Sequence, residues 1–208
     1  MTGIKICGLF RDCDIEYMNE AMPDYAGFIL HFPKSHRNVE PEIAFRLIKR
    51  LRPGIRAVGV FVDQPEETVL GTAQFIGLDV IQLHGREDNE YIARLRERTV
   101  IPVWKAFKVR TEEDLKAAEE SIADKVLLDN GYGTGTSFDW TVVSGSEGRE
   151  GLERGFILAG GLTPELIPEA IRLLGPEILD ISSGVETDKV KDRDKILAAV
   201  RAARKKPQ

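Results

Sequence analysis

The chain has 208 residues, 42% of them hydrophobic and 30% charged, enough to bury the core of one ordinary domain. A formal net charge of -5 supplies no general attraction for nucleic acid, and no apolar stretch approaches the ~20 residues that span a bilayer, so neither kind of partner is expected and no obligate protein partner is evident. The N-terminus lacks the charged-then-apolar pattern of a signal peptide, which makes a cytoplasmic location the expectation, and Cys7 and Cys13 read as free thiols in a reducing compartment.

From end to end, short apolar runs bounded by turn residues alternate with segments of helical spacing. The runs predict strands at 3–7, 25–30, 56–61, 79–84, 102–107, 125–129, 156–159 and 178–182. Between them, Ile15, Met18 and Met22 make one apolar stripe, and Ile43, Ala44, Leu47, Ile48 and Leu51 make another. Ile92 with Leu95, and Leu166, Ile167, Ala170, Ile171 and Leu174, continue the pattern. Start signals agree: Thr111-Glu112-Glu113-Asp114 resembles a capping box with Asp for Glu, and Thr163-Pro164 reads as an N-cap followed by proline at the first helical position. The sixth helix has to lie within 139–152, where Ser144-Gly145-Ser146-Glu147-Gly148 interrupts the spacing, so a short or irregular helix is expected there. Eight βα units of about 26 residues predict an α/β fold, a compact (β/α)8 barrel formed by residues 1–208 as a single domain. An open doubly wound sheet is the alternative, but it would leave two edges uncovered. No internal repeat or low-complexity segment is visible.

In such a barrel the C-terminal strand ends share one face, and here they carry Cys7, His84, Asp129 and Asp180, while the strand interiors read as otherwise apolar. A buried cysteine is usually an inert small hydrophobe, so it is the place of Cys7 at the barrel mouth that makes it a candidate. Asp129 opens into the glycine-rich run Asn130-Gly131-Tyr132-Gly133-Thr134-Gly135-Thr136, which fits either a loop closing over a ligand or a tight turn. Arg37, after the second strand, is suited to a carboxylate or to solvent. Gly160 and Gly161 follow the seventh strand, and Ser183 and Gly184 the eighth. Loops at those two places commonly bind phosphate through backbone N–H groups and a helix N-terminus.

Taken in order, Lys5-Ile6-Cys7-Gly8-Leu9, Gly27-Phe28, Ser35 with Arg37, Val58-Gly59-Val60-Phe61, Gln82-Leu83-His84-Gly85, Leu128-Asp129, Gly133-Thr134-Gly135 with Phe138-Asp139-Trp140, Ala159-Gly160-Gly161-Leu162, and Asp180 with Ser182-Ser183-Gly184-Val185-Glu186 resemble the phosphoribosylanthranilate isomerase family over nearly the whole chain. The resemblance implies a (β/α)8 barrel and an Amadori rearrangement of N-(5-phosphoribosyl)anthranilate to 1-(2-carboxyphenylamino)-1-deoxyribulose 5-phosphate in tryptophan biosynthesis. It implies Cys7 as general base, Asp129 as general acid and Arg37 against the anthranilate carboxylate. His84 and Asp180 would be further substrate contacts, with the phosphate on Gly160, Gly161, Ser183 and Gly184. The partner would be a small molecule, the phosphorylated anthranilate riboside. Proton transfers of this kind require no metal, nicotinamide or pyridoxal, so no cofactor is expected; nearby positive dipoles are expected to favour the thiolate. Phe10, His36 and Tyr132 depart from the family pattern, standing where Thr, Pro and Gly are usual. Other readings of the same residues are the related aminoaldose isomerisation of histidine biosynthesis, a metal-dependent sugar-phosphate epimerase with His84, Asp129 and Asp180 as ligands, a Schiff-base lyase using Lys105, and a non-catalytic phosphate-binding module.

Overall fold

A computed structural model describes residues 2–129 and 155–205, so the glycine-rich loop after Asp129 and the expected sixth helix lie outside the described residues. Eight parallel strands, β1 (Gly3–Cys7), β2 (Tyr25–Ile29), β3 (Arg56–Phe61), β4 (Val80–Leu83), β5 (Val103–Lys108), β6 (Lys125–Asp129), β7 (Phe156–Leu158) and β8 (Ile178–Ile181), pair in sequence order. β8 returns to pair with β1, closing the barrel and excluding the open sheet. Each strand falls within one residue of its expected bounds. The described helices are α1 (Asp12–Ala21), α2 (Pro41–Ile48), α3 (Glu66–Ile76), α4 (Asn89–Arg98), α5 (Glu112–Glu119), α6 (Ile167–Leu174) and α7 (Arg193–Arg204). None is long and apolar enough to cross a membrane.

Details at the helix ends differ from expectation for local reasons. Met22 leaves the α1 stripe: it takes a left-handed conformation to end the helix and is 38% exposed. Ile43 is likewise exposed, and Leu51 lies beyond the end of α2. The Thr111 capping box forms as expected, with Asp114 reaching back to the Thr111 N–H. Thr163-Pro164 instead starts a single turn, closed by the Leu166 N–H on the Thr163 carbonyl at 3.1 Å, and α6 begins only at Ile167.

The alternation of strand side chains divides the core into two shells. Ile6, Phe28, Leu83 and Leu128 point outward and pack with helix residues such as Ile15, Leu47, Ile92 and Ile196. Tyr25, Val58, Val80, Trp104, Leu127 and Ile178 point inward. Tyr25 and Trp104 meet edge to face with centroids 4.9 Å apart, and the Arg56 guanidinium lies 3.9 Å from the Tyr25 centroid. These groups fill the N-terminal end of the barrel and leave the opposite end for a cavity.

At that filled end one contact recurs every second strand. The residue before β2, β4 and β6 is an aspartate, and its carboxylate accepts a backbone N–H of the preceding strand: Asp24 from Ile4 at 2.8 Å, Asp79 from Ala57 at 2.7 Å and Asp124 from Val103 at 2.7 Å. Each aspartate also donates its own N–H to a carbonyl of that strand, and Glu177 before β8 does the same to Phe156 at 3.0 Å. The repeat is one of contacts spaced by whole βα units, which the sequence read alone does not display.

Beyond β8, a single 3₁₀ turn (Ser183–Val185) leads into a hairpin of β9 (Glu186–Thr187) and β10 (Val190–Lys191). Its two central residues, Asp188 and Lys189, both have positive φ (52° and 64°), as a two-residue type I′ turn requires. The turn returns Lys191 beneath Glu186, with Nζ 2.6 Å from Oε1, and Arg37 from the loop after β2 grips the same carboxylate through Nε at 2.7 Å and Nη2 at 2.6 Å. Burial would raise the Glu186 carboxyl, but the Arg37 hydrogen bonds and the charge of Lys191 outweigh it and hold the group at about 2.

Two expectations follow. Asp79→Ala leaves the Ala57 N–H without its acceptor and should cost about 1–3 kcal/mol in urea unfolding. Catalytic constants should be unchanged, because the contact lies at the opposite end from the cavity. Because Glu186 sits below its ordinary value of 4.5, its stabilisation is complete above that pH and is lost as pH falls toward about 2. Unfolding followed across that window should show the parent losing stability that Glu186→Gln, already without the charge, does not lose.

Candidate active site

The open end of the barrel holds a cavity of about 270 Å³. Cys7, Arg37, His84, Asp129, Gly160, Gly161, Asp180 and Ser183 all line it, so eight of the nine residues expected at the site are brought together. The ninth, Gly184, does not line it. It fills a contact between the loops after β7 and β8, where an added Cβ would lie 1.8 Å from the Leu162 carbonyl oxygen. Phe10 and His36, two of the departures from the family pattern, also stay out of the cavity wall, and Tyr132 lies outside the described residues.

Three pairs of residues spaced by two along a strand explain how side chains reach the cavity. Lys5 and Cys7 project inward from β1, Gln82 and His84 from β4 and its end, and Asp180 and Ser182 from β8 and its end. The β1–β8 register sets Lys5 directly beside Asp180, and Lys5 Nζ donates to Asp180 Oδ2 at 2.8 Å with the lysine side chain wholly buried. Burial alone would lower the Lys5 value, but Asp180 and Cys7 together raise it, so the ammonium is retained. Burial also pushes the Cys7 thiol up, and it outweighs the opposing pull of Lys5 and Lys191. Nearby positive charges thus favour the thiolate, but desolvation outweighs them.

On the far side of the cavity, His84 Nε2 lies 3.6 Å from Asp129 Oδ2, an ion-pair distance longer than a hydrogen bond. Gln82, fully buried in β4, places its side-chain nitrogen 3.1 Å from His84 Nδ1, which sets Nε2 as the proton-bearing nitrogen facing Asp129. Among the described residues, Gln82 Oε1 and Asp180 Oδ1 are buried without a hydrogen-bond partner, two acceptors at the cavity wall.

Arg37 is less available than expected. Its bidentate fork is taken by Glu186 inside the protein, which leaves Nη1 without a hydrogen bond to any described residue. Gly160 and Gly161 both have positive φ (87° and 66°), a backbone path that a side chain would strain. Among the described residues, the N–H groups of Gly160, Gly161, Ser183 and Gly184 donate to no other residue.

Two of the other readings find no supporting geometry among the described residues. No group of three His, Cys, Asp or Glu among the described residues is placed to hold a metal, and Asp180 is turned to Lys5 rather than toward His84 and Asp129. Lys105 is held by the Gly85 carbonyl at 2.6 Å and by Glu87 at 3.1 Å, as a structural ion pair. Lys5, Gln82, Glu186 and Lys191 are the residues that the sequence reading missed. For Lys5 and Gln82 a signal was present, since each lies two positions before a candidate and so on the same face of its strand.

The model of the family described as N-(5'-phosphoribosyl)anthranilate (PRA) isomerase matches residues 4–202. A protein of Thermoanaerobacter sp. (strain X514) named N-(5'-phosphoribosyl)anthranilate isomerase is 44% identical over 209 residues, covering 98% of each chain. The crystal structure of phosphoribosyl anthranilate isomerase from Thermotoga maritima superimposes with a TM-score of 0.86 at 36% identity, over 98% of each chain. A crystal structure of phosphoribosyl anthranilate isomerase in complex with reduced 1-(o-carboxyphenylamino)-1-deoxyribulose 5-phosphate matches with a TM-score of 0.83 at 35% identity, again over 98% of each chain. With the closed barrel, the strand-end residues and this similarity in agreement along its length, the chain belongs to the phosphoribosylanthranilate isomerase family.

Proposed function

We propose that this barrel, as one cytoplasmic domain, isomerises N-(5-phosphoribosyl)anthranilate to 1-(2-carboxyphenylamino)-1-deoxyribulose 5-phosphate in tryptophan biosynthesis. The observation that carries the reading is a single cavity lined by Cys7, by the His84–Asp129 pair and by the two loops that follow β7 and β8. Asp129 donates a proton to the ribose ring oxygen while the aniline nitrogen forms a Schiff base with C1. Cys7, as thiolate, removes the proton from C2, and the resulting enolamine tautomerises to the ketone. A thiol raised by burial suits this step in one respect: the higher its value, the stronger a base its thiolate is. The same shift makes that thiolate scarcer at neutral pH.

Binding divides by charge. The N–H groups of Gly160, Gly161 and Ser183 receive the phosphate, with Gly184 holding their two loops together. The remaining Arg37 Nη1 faces the anthranilate carboxylate. Asp180 Oδ1 and His84 complete the contacts along the sugar chain.

Purified protein should consume the substrate, followed as loss of anthranilate fluorescence, and EDTA should leave the rate unchanged. A rate abolished by chelation and restored by a divalent ion would overturn the reading. Cys7→Ser and Asp129→Asn should each lower kcat by at least ~10²-fold with a much smaller change in KM. Near-native kcat in a folded variant, with chemistry rate-limiting, would remove that residue's role. For the phosphate, Ser183→Asp is the clean probe, since Ser183 is exposed whereas Gly184 has no room for any side chain. It should raise KM several-fold by like-charge repulsion, and an unchanged KM would place the phosphate elsewhere.

A further inference from the structure

Among the described residues three lysines are buried, Lys5, Lys105 and Lys191. Two are satisfied as structural groups: Lys105 has the Gly85 carbonyl and Glu87, and Lys191 has the Ser182 carbonyl and Glu186. Lys5 is different. It is wholly buried, and its ammonium, with three protons, donates to one carboxylate oxygen, Asp180 Oδ2, and otherwise interacts with the Cys7 thiol. A buried ion pair of this kind is weak evidence for stability, because desolvation consumes most of its attraction.

What lies beside the ammonium is the thiol. Lys5 and Cys7 share the inner face of β1, and Gly27 is the Cα partner of Cys7 on β2. A Cβ at Gly27 would fall 2.9 Å from Cys7 Sγ and 3.1 Å from Lys5 Cε, so both atoms border the one point that glycine leaves empty. No side chain from β2 separates them.

We infer that Lys5 is a positioning residue for the proposed base: its ammonium is the counter-charge that the Cys7 thiolate meets when it forms inside the barrel, and Asp180 holds that ammonium in place. The inference rests on the reading of Cys7 as the base. Lys5 transfers no proton itself; the C2 proton goes to sulfur, and Lys5 lowers the cost of the anion that receives it. The charged groups around the thiol are Lys5 on its own strand, Asp180 on β8, Lys191 in the hairpin and Arg37 after β2. Of these, Lys5 exerts the largest pull toward the thiolate, Lys191 adds to it, and Asp180 opposes it. Gly27 is then a requirement of the charge pair as well as of packing.

The test uses a Cys13→Ser background, so that Cys7 is the one thiol, and measures its alkylation by iodoacetamide against pH without substrate. Lys5→Met should move the midpoint to higher pH by at least about one unit, a tenfold loss of thiolate at fixed pH. Asp180→Asn should move it the other way. Lys5→Met/Asp180→Asn replaces the buried pair by neutral groups, which keeps the test available if the single lysine variant does not fold; its midpoint should remain above the parent's. A merely structural lysine predicts no such opposed shifts, and an unmoved midpoint in folded Lys5→Met or in the double variant overturns the charge pairing. The rising limb of kcat/KM with pH should shift with the alkylation midpoint. If alkylation shifts and the rate limb does not, Cys7 is not the base, and the part given to Lys5 in catalysis falls with it.

Discussion

The barrel closes where β1 meets β8, and the register of that seam puts Lys5 beside Asp180. A slip by one residue would turn Lys5 and Cys7 out toward the helices and bring Ile4 and Ile6 inward. An ammonium buried without its carboxylate is strongly unfavourable, so the ion pair discriminates against the slipped register more than it stabilises the correct one. The same seam sets Ser182 on the Cys7 carbonyl at 3.1 Å, which ties the end of the first strand to the loop after the last. The position of the thiol is thus a property of barrel closure.

Around the cavity, charge is arranged locally in a way that the overall balance conceals. The chain carries a net -5, but the seam side of the cavity gathers Lys5, Arg37 and Lys191 against Asp180 and Glu186. That leaves one positive charge in excess on this side, in keeping with the anionic substrate proposed. Each cation is fixed by a carboxylate, so the field is organised before a ligand arrives and needs little reordering on binding. Arg37 shows the compromise: Glu186 takes two of its donors and in return fixes the direction of the third.

Much of the fold was legible because parallel strands buried on both faces are nearly continuous apolar runs, and the eight runs are separated by helices with clear stripes. Strand ends could then be aligned on one face, and Cys7, His84, Asp129 and Asp180 do gather there. What escaped depended on partners distant in sequence. Lys5 is passed over within its apolar run until Asp180, 175 residues later, is placed beside it. Glu186 and Lys191 belong to a hairpin of two-residue strands, too short to show a period. Gly184 reads as a phosphate-binding glycine, and its close approach to the Leu162 carbonyl becomes visible only when the two loops are placed together. Burial of the thiol is likewise a property of the assembled barrel, and it adds a desolvation that outweighs the nearby positive charges.

The aspartate contacts at the closed end carry an implication for how the chain divides. Asp24 joins β1 to β2, Asp79 joins β3 to β4, and Asp124 joins β5 to β6, so the carboxylate links bind strands in twos and none bridges one couple to the next. A cut between β3 and β4 would sever one of these links, whereas a cut between β4 and β5 would sever none. The connection there passes through Val100, the most exposed large hydrophobic side chain among the described residues. Two fragments meeting at that point would each keep these aspartate links whole, and would have strand edges, the outer helix layer and the pairs Lys5–Asp180, Arg37–Glu186 and Lys105–Glu87 to rejoin. In this barrel the architectural module is the strand couple, and a division after β4 separates two half-barrels without breaking one.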